Sequence, residues 1–357
     1  MSSPDRSRPV VIFGGAGFIG CNLARSFLAD GATVRIVDNL SRAGVEQNLS
    51  WLRDDDGARL QFVRADVRDL DGFRETVADA SAVFNFAAQT AVTTSLDDPL
   101  DDFSVNALGT LNVLEAVRRT GRRIPVIFSS TNKVYGGLED LRMVELEDRY
   151  APADPVIRAH GVSEERKLDF CTPYGCSKGV ADQYVLDYAK SYDLPTAVLR
   201  MSCIYGPRQF GTEDQGWVAH FLIRALEGRP ITIYGNGKQV RDILFVDDAV
   251  AAYRKVLANI KAVSGRAFNL GGGTGNAVSL KTVLDEIAAL TGDRLPLSYG
   301  DWRKGDQYYF VADTRVLQSE LGWRAEVGWR DGLRRLCAWL EDNRSPRTAP
   351  LPTRAIA

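Results

Sequence analysis

Tyr174 and Lys178 in the stretch TPYGCSK are four residues apart, the spacing that sets a phenol and an ammonium on one face of a helix, one turn apart. A tyrosine with an ordinary pKa of about 10 is a poor base near neutrality, and a neighbouring ammonium favours its phenolate. Such a pair can take a proton from an alcohol. Upstream, FSSTNKVYGG places Thr131, Asn132, Lys133 and Tyr135 behind the apolar run IPVIF. A threonine at a strand end can hydrogen-bond the same hydroxyl and hold it in line. Tyr and Lys at helical spacing are common on solvated surfaces, so this chemistry depends on what the chain assembles around them.

The glycines of VVIFGGAGFIGCNLA give that context. Gly14, Gly17 and Gly20 lie between a strand and a helix, where the turn must be tight, backbone must approach a phosphate and helix must pack on strand. The helix N-terminus then faces a pyrophosphate. A glycine pattern alone is a weak signal, but the second strand, TVRIVD, ends at Asp38, about 20 residues on, where an acid hydrogen-bonds an adenosine ribose. The same carboxylate repels a 2′-phosphate, which predicts NAD over NADP, with Arg42 near enough in sequence to offer a counter-charge. RADVRD sets Asp66 and Val67 either at an adenine edge or in a simple strand-end turn. With a dinucleotide in place, a cationic nicotinamide would also favour the phenolate. Tyr174 would then take a hydroxyl proton as hydride leaves the same carbon, Thr131 would hold that hydroxyl, and Lys178 would hold the nicotinamide ribose. The chemistry is alcohol oxidation.

The elements that must position these groups alternate strictly. VVIF, TVRIVD, LQFVRAD, AVFNFAA and IPVIFSS are short apolar runs interleaved with helical patterns such as FIGCNLARSFLAD and GTLNVLEAVRR. Strand and helix in turn imply a parallel sheet covered on both faces, and buried parallel strands read as continuous apolar runs. The predicted fold is α/β, a Rossmann-type doubly wound parallel sheet with a smaller C-terminal α/β substrate lobe. The NAD-binding domain is expected over 8–200, and the polar stretch 136–172 inserted in it is expected to be a functional loop or disordered. The substrate lobe is expected over 201–343, with some segments returning to the first domain and helices near 216–227, 247–259, 279–291 and 329–342. The Pro-rich 344–357 is expected to be a flexible tail.

Composition narrows the function. A chain of 357 residues with 45% hydrophobic content can bury a large core. A net charge of −2 with interspersed signs lacks the basic stripe that nucleic-acid binding requires. Five cysteines without a Cys-x-x-Cys and two distant histidines, His160 and His220, indicate neither a disulfide framework nor a metal site. Both histidines are expected to be structural or exposed. No signal core or membrane-length apolar run is present, so no membrane partner is expected, and a reducing, cytoplasmic setting fits.

GGAGFIG, Asp38, FAAQT, Asn106, SSTNKVYG, YGCSK, YGPRQF and GNGKQVRDILFVDD, in that order, make the chain resemble the extended short-chain dehydrogenase/reductases that act on nucleotide sugars, over about residues 9–342. Sugar 4,6-dehydratases carry an Asp-Glu pair after the threonine, whereas this chain has Asn132 and Lys133. The wording of VDNLSRAGVEQNLSWL, QTAVTTSLDDP, LDFCTPYGCSKGVADQYVLDYA and RQFGTEDQGWV is most similar to that of CDP-tyvelose (CDP-paratose) 2-epimerases.

That resemblance implies transient oxidation at C2 of a CDP-linked (deoxy)hexose by tightly bound NAD, exposure of the other face of the ketone, and re-reduction. A UDP-hexose or UDP-uronate 4-epimerase is the alternative, and a non-catalytic NAD-sensing protein is the reading from another class. Thr131, Tyr174 and Lys178 match the catalytic positions. The implied cofactor contacts are Gly14, Gly17, Phe18, Ile19, Asp38, Asn39, Ser41, Arg42, Asp66, Val67, Ala87, Ala88, Gln89, Asn106 and Ser129, with Tyr174 and Lys178. The implied substrate contacts are Thr94, Ser95, Thr131, Asn132, Lys133, Cys203, Arg208, Gln209, Arg241 and Arg303, the last two on the diphosphate; Gln89 could also line the sugar pocket. Many relatives place an asparagine where Cys203 stands. Helices around 103–120 and 175–192 carry apolar faces that in relatives pair across a two-fold axis, which implies a homodimer.

Overall fold

The computed structural model describes residues 8–292 and 294–343; the tail expected over 344–357 lies outside the described residues. The four residues of Val10–Phe13 alternate between two buried layers, Val10 and Ile12 in one and Val11 and Phe13 in the other, because successive side chains of a strand point to opposite faces. This strand sits inside a seven-stranded parallel sheet. Its order is Arg266–Leu270, Thr196–Met201, Val126–Thr131, Ala82–Asn85, Val10–Phe13, Val34–Asp38, Leu60–Arg64. Helices Phe18–Ala29 and Val246–Ala258 cover one face, and Gly109–Arg118 and Thr172–Ser191 the other. The chain builds outward from Val10–Phe13 in one direction and then returns to build in the other, so a switch point opens a crevice at the carboxyl ends of Val10–Phe13 and Ala82–Asn85.

A second core gathers around Val240–Phe245, which pairs with Cys203–Tyr205, Tyr309–Phe310 and Ala277–Ser279 and packs against helices Trp217–Glu227, Leu280–Thr291 and Trp329–Asp342. Arg266–Leu270 and Val246–Ala258 leave this lobe to complete the first sheet.

Two expectations change. Residues 136–172 form a hairpin of Met143–Glu145 with Tyr150–Pro152 and a helix, Pro155–His160, whose Asp154 cap accepts from the Val156 and Ile157 amides. Their burial comes from distant partners: Val162 bridges to Ala312, Tyr150 donates its amide to the Lys238 carbonyl at 2.9 Å, and Leu138 and Val162 pack with Phe310. The helix expected near 103–120 begins earlier, at Pro99–Phe103, and carries a π-helical turn at Ser104–Leu108 before Gly109–Arg118. Such turns recur at functional sites.

Candidate active site

The crevice is a cleft of about 800 Å³. Gly14 has φ +69°, and a Cβ there would lie 2.7 Å from the backbone of Phe86 and Ala87; one at Gly20 would strike the Gly14 carbonyl oxygen. Gly17 begins Phe18–Ala29 without a side-chain cap, so the open amino-terminal turn of this helix lines the cleft. Asp38 accepts from the Ala16 amide at 3.0 Å and the Leu40 amide at 2.9 Å. Burial raises its carboxyl pKa, and these two N–H groups oppose the rise. Asn39 donates to Asp66 at 2.9 Å, and hydrogen bonding from Arg68 holds Asp66 far below the usual carboxylate range. Arg42 donates to Thr90 at 3.0 Å and to Gln215, so its charge is engaged across the cleft. An uncapped helix terminus closed in by glycines, with a backbone-anchored carboxylate at the end of the second strand, fits a dinucleotide.

Thr131 ends the strand Val126–Thr131, and its hydroxyl oxygen accepts from the Lys133 amide at 3.2 Å, capping the turn Asn132–Tyr135. Tyr174 and Lys178 project from the first turns of Thr172–Ser191. Burial pushes the Tyr174 phenol up to about 12, and hydrogen bonding with Thr131 opposes this. Burial draws the Lys178 ammonium down to about 7, against the pull of Asp182 and Asp102. Lys178 Nζ donates to the Ser129 carbonyl at 2.5 Å and lies 4.2 Å from the Phe128 ring centroid.

A second cavity, about 390 Å³, meets the cleft at Thr131, Tyr174 and Gln209. Its wall holds Arg241, 2.6 Å from Asp306, and Lys133, which donates to the Gly305 carbonyl at 2.9 Å and lies 3.8 Å from Asp306. Burial lowers the Lys133 pKa despite the Asp306 charge. Arg303 pairs with Asp214 at 3.3 Å and lies over the Tyr234 ring. Asn132 donates to Gln307 at 3.0 Å, and Trp217 donates to the Cys203 sulfur at 3.4 Å.

The expected cofactor residues line the cleft except Asn106, and the expected substrate residues line one or both cavities except Ser95 and Arg208. Asn106 is buried behind the wall, donating to Asp102 and Ser177. Ser95 is fully buried and accepts the Tyr174 amide at 3.2 Å, so it supports the helix. Arg208 turns away to lie 4.2 Å from the Trp51 centroid and 5.5 Å from that of Trp339. Thr94 lies on the dinucleotide cleft instead of the sugar cavity. His220, expected to be structural or exposed, lines the second cavity, as do Asp306, Asp214 and Tyr234, which sequence reasoning missed. The short polar run RKGD after Trp302 was the available signal for Asp306.

Comparison with known proteins matches residues 10–271 to the NAD dependent epimerase/dehydratase family. The chain is 41% identical over 337 residues to CDP-paratose 2-epimerase of Salmonella typhi, covering 92% of this chain and 98% of that protein. The structure superposes with a TM-score of 0.78 on Thermus thermophilus UDP-glucose 4-epimerase in complex with NAD, 30% identical, covering 94% and 99% of the two chains. It superposes with a TM-score of 0.80 on a dTDP-glucose 4,6-dehydratase from Streptomyces venezuelae with NAD bound, 26% identical, covering 94% and 97%.

Proposed function

The chain belongs to the NAD dependent epimerase/dehydratase family, and on that premise we propose that it inverts C2 of a CDP-linked deoxyhexose by transient oxidation and re-reduction. The observation that carries this reading is the meeting of two cavities at Thr131 and Tyr174, so that a sugar carbon and a dinucleotide can approach one another beside a phenol. NAD, when bound, would supply a reversible hydride acceptor, so that the reaction would leave no net redox change. Gly14, Gly17 and the open helix turn would hold its pyrophosphate, Asp38 its adenosine ribose, and Lys178 its nicotinamide ribose.

The residues of the chain do the rest. Thr131 orients the reacting hydroxyl, and Tyr174 removes its proton as the carbon becomes a ketone. The Lys178 ammonium stabilises the phenolate until the proton is returned. Arg241 and Arg303 hold the diphosphate, leaving the sugar free to present its other face. Asn132 and Lys133, tied to Gln307 and Gly305, are an amide and an amine, so the Asp-Glu pair of the dehydratases is missing at these positions. The higher identity to the CDP-paratose enzyme favours C2 over C4 of a UDP-sugar. A purely NAD-sensing protein would not need Thr131, Tyr174 and Lys178 together.

Leu100, Phe103, Leu108 and Tyr184 are exposed on the helices around Pro99–Arg118 and Thr172–Ser191, which supports a homodimer formed through this face. None of the five cysteines, all among the described residues, forms a disulfide, in keeping with a reducing, cytoplasmic setting. The test is twofold: mass spectrometry of the small molecules released on denaturation, and incubation with CDP-paratose. Near-stoichiometric NAD together with conversion to CDP-tyvelose is expected. Empty protein, or interconversion of UDP-glucose and UDP-galactose alone, would refute the C2 reading.

A further inference from the structure

Asp102 is fully buried beneath the first turns of Thr172–Ser191 and makes no ion pair among the described residues. Its carboxylate accepts from the Ser177 hydroxyl at 2.5 Å and from the Asn106 amide at 3.0 Å, and that amide also donates to Ser177 at 3.1 Å. Ser177 immediately precedes Lys178, which is itself buried and unpaired by any salt bridge among the described residues. The other anion near Lys178, Asp182, has a direct ionic partner in Arg200. It accepts from Arg200 at 2.9 and 3.0 Å and from Ser130 at 2.8 Å. Asp101 is bridged to Arg68 at 2.7 Å. The site therefore contains one buried cation and one buried anion without direct ionic partners, joined through Ser177.

Resting on the catalytic reading above, we propose that Asp102 is a positioning residue that keeps the Lys178 ammonium charged and fixes the turn carrying Tyr174 and Lys178. Burying a lone ammonium is costly, and a nearby fixed anion offsets that cost. The electrostatics agree in direction: Asp182 and, to a smaller extent, Asp102 hold the Lys178 pKa up against burial, and Asp102 also raises that of Tyr174. The titratable and charged groups facing the pair are Tyr174, Cys176 and Asp182 on the helix itself and Asp101 beside Asp102, with Arg200 from Thr196–Met201 bound to Asp182. A carboxylate that serves both neighbours has a consequence of definite sign. Neutralising it lowers the proton affinity of phenol and ammonium alike.

Asp102→Asn is the direct variant, and the fold can accept it, because Asn106 Oδ1 lacks a partner among the described residues and a flipped Asn106 amide can receive the new N–H. Two quantities are read in wild type and D102N: the pH profile of kcat in the NAD-loaded enzyme, and the tyrosinate absorbance of the holoprotein that Tyr174→Phe removes. Both limbs of the kcat profile are expected to move to lower pH by about one unit, and the tyrosinate signal is expected to rise at lower pH as well. Limbs that stay in place while the height falls, or that move to higher pH, would overturn the proposal, because a merely structural role changes amplitude alone. If D102N does not fold, Asp102→Ser carries the same expectation. An active Tyr174→Phe enzyme would instead overturn the catalytic reading, whereas an inactive one beside an unmoved D102N profile sinks this inference alone.

Discussion

Arg241 and Asp306 meet at 2.6 Å on the wall of the second cavity, with the Lys133 ammonium 3.8 Å from the same carboxylate oxygen. Arg241 and Lys133 together hold Asp306 below its ordinary carboxylate pKa, even though burial acts the other way. A diphosphate entering this cavity meets two cations already sharing one anion. Its affinity therefore depends on how far Arg241 can serve both.

Replacing Arg241 by methionine removes the planar fork of donors and keeps most of the packing. The expected result is a Kd for CDP raised by about 10- to 100-fold, the equivalent of roughly 1.5–3 kcal/mol for hydrogen bonds to a charged group. The effect on kcat should be smaller. Calorimetric titration with CDP measures it, and an unchanged Kd would remove Arg241 from the diphosphate site.

Tyr174→Phe leaves the cleft, Asp38 and the open helix turn in place and deletes only the phenolic oxygen. Retained NAD and a kcat lowered by about 10²- to 10⁴-fold are expected, with NAD content read by mass spectrometry and turnover by product formation. Turnover close to wild type would mean that another group takes the proton.

Leu100 is 81% exposed and Phe103 53% exposed on the same helix. Isolated apolar side chains on a surface are ordinary, but two this exposed on one helix, with Leu108 and Tyr184 exposed on elements that pack with it, point to a covered face. Changing both Leu100 and Phe103 to glutamate should shift the sedimenting species from dimer to the 39.3 kDa chain. Wild-type protein already sedimenting at that mass would rule out the dimer.

The parts of this site legible in the sequence are those written within one segment. Tyr174 and Lys178 are coupled by helical spacing, Gly14 and Gly17 by the strand–helix turn, and Asp38 by its place at a strand end. Asp306, Asp214 and His220 reach the cavity from separate loops and a helix, and no local period announces them. Ser95, Asn106 and Arg208 are expected at the ligands through the resemblance alone; Ser95 and Asn106 belong to the layer behind the wall, and Arg208 lies against Trp51 and Trp339. The 136–172 segment read as loop or disorder because its order derives from Phe310, Ala312 and Lys238, all far along the chain.

Asp242 gives a prediction about stability. It is fully buried next to Arg241, and its carboxylate accepts from Ser202, from the Gly273 amide at 3.1 Å and from the Ala312 amide at 3.1 Å. Burial pushes its pKa from 3.8 to about 7, with these donors acting against the rise. The folded chain therefore holds a proton that the unfolded chain releases between those two values, so this group stabilises the fold at low pH and loses that contribution as pH rises to about 7. Asp242→Asn abolishes the titration while preserving the contacts: its oxygen can accept the two amides, and its N–H₂ can donate to Ser202, which already donates to the residue 242 carbonyl at 3.0 Å. Urea unfolding of wild type and variant across this range should show the wild-type-minus-variant stability falling with pH, on the order of a few kcal/mol in total, and then levelling above about pH 8. A difference that is flat throughout would show that Asp242 stays ionised in the core, held by hydrogen bonds strong enough to outweigh its burial.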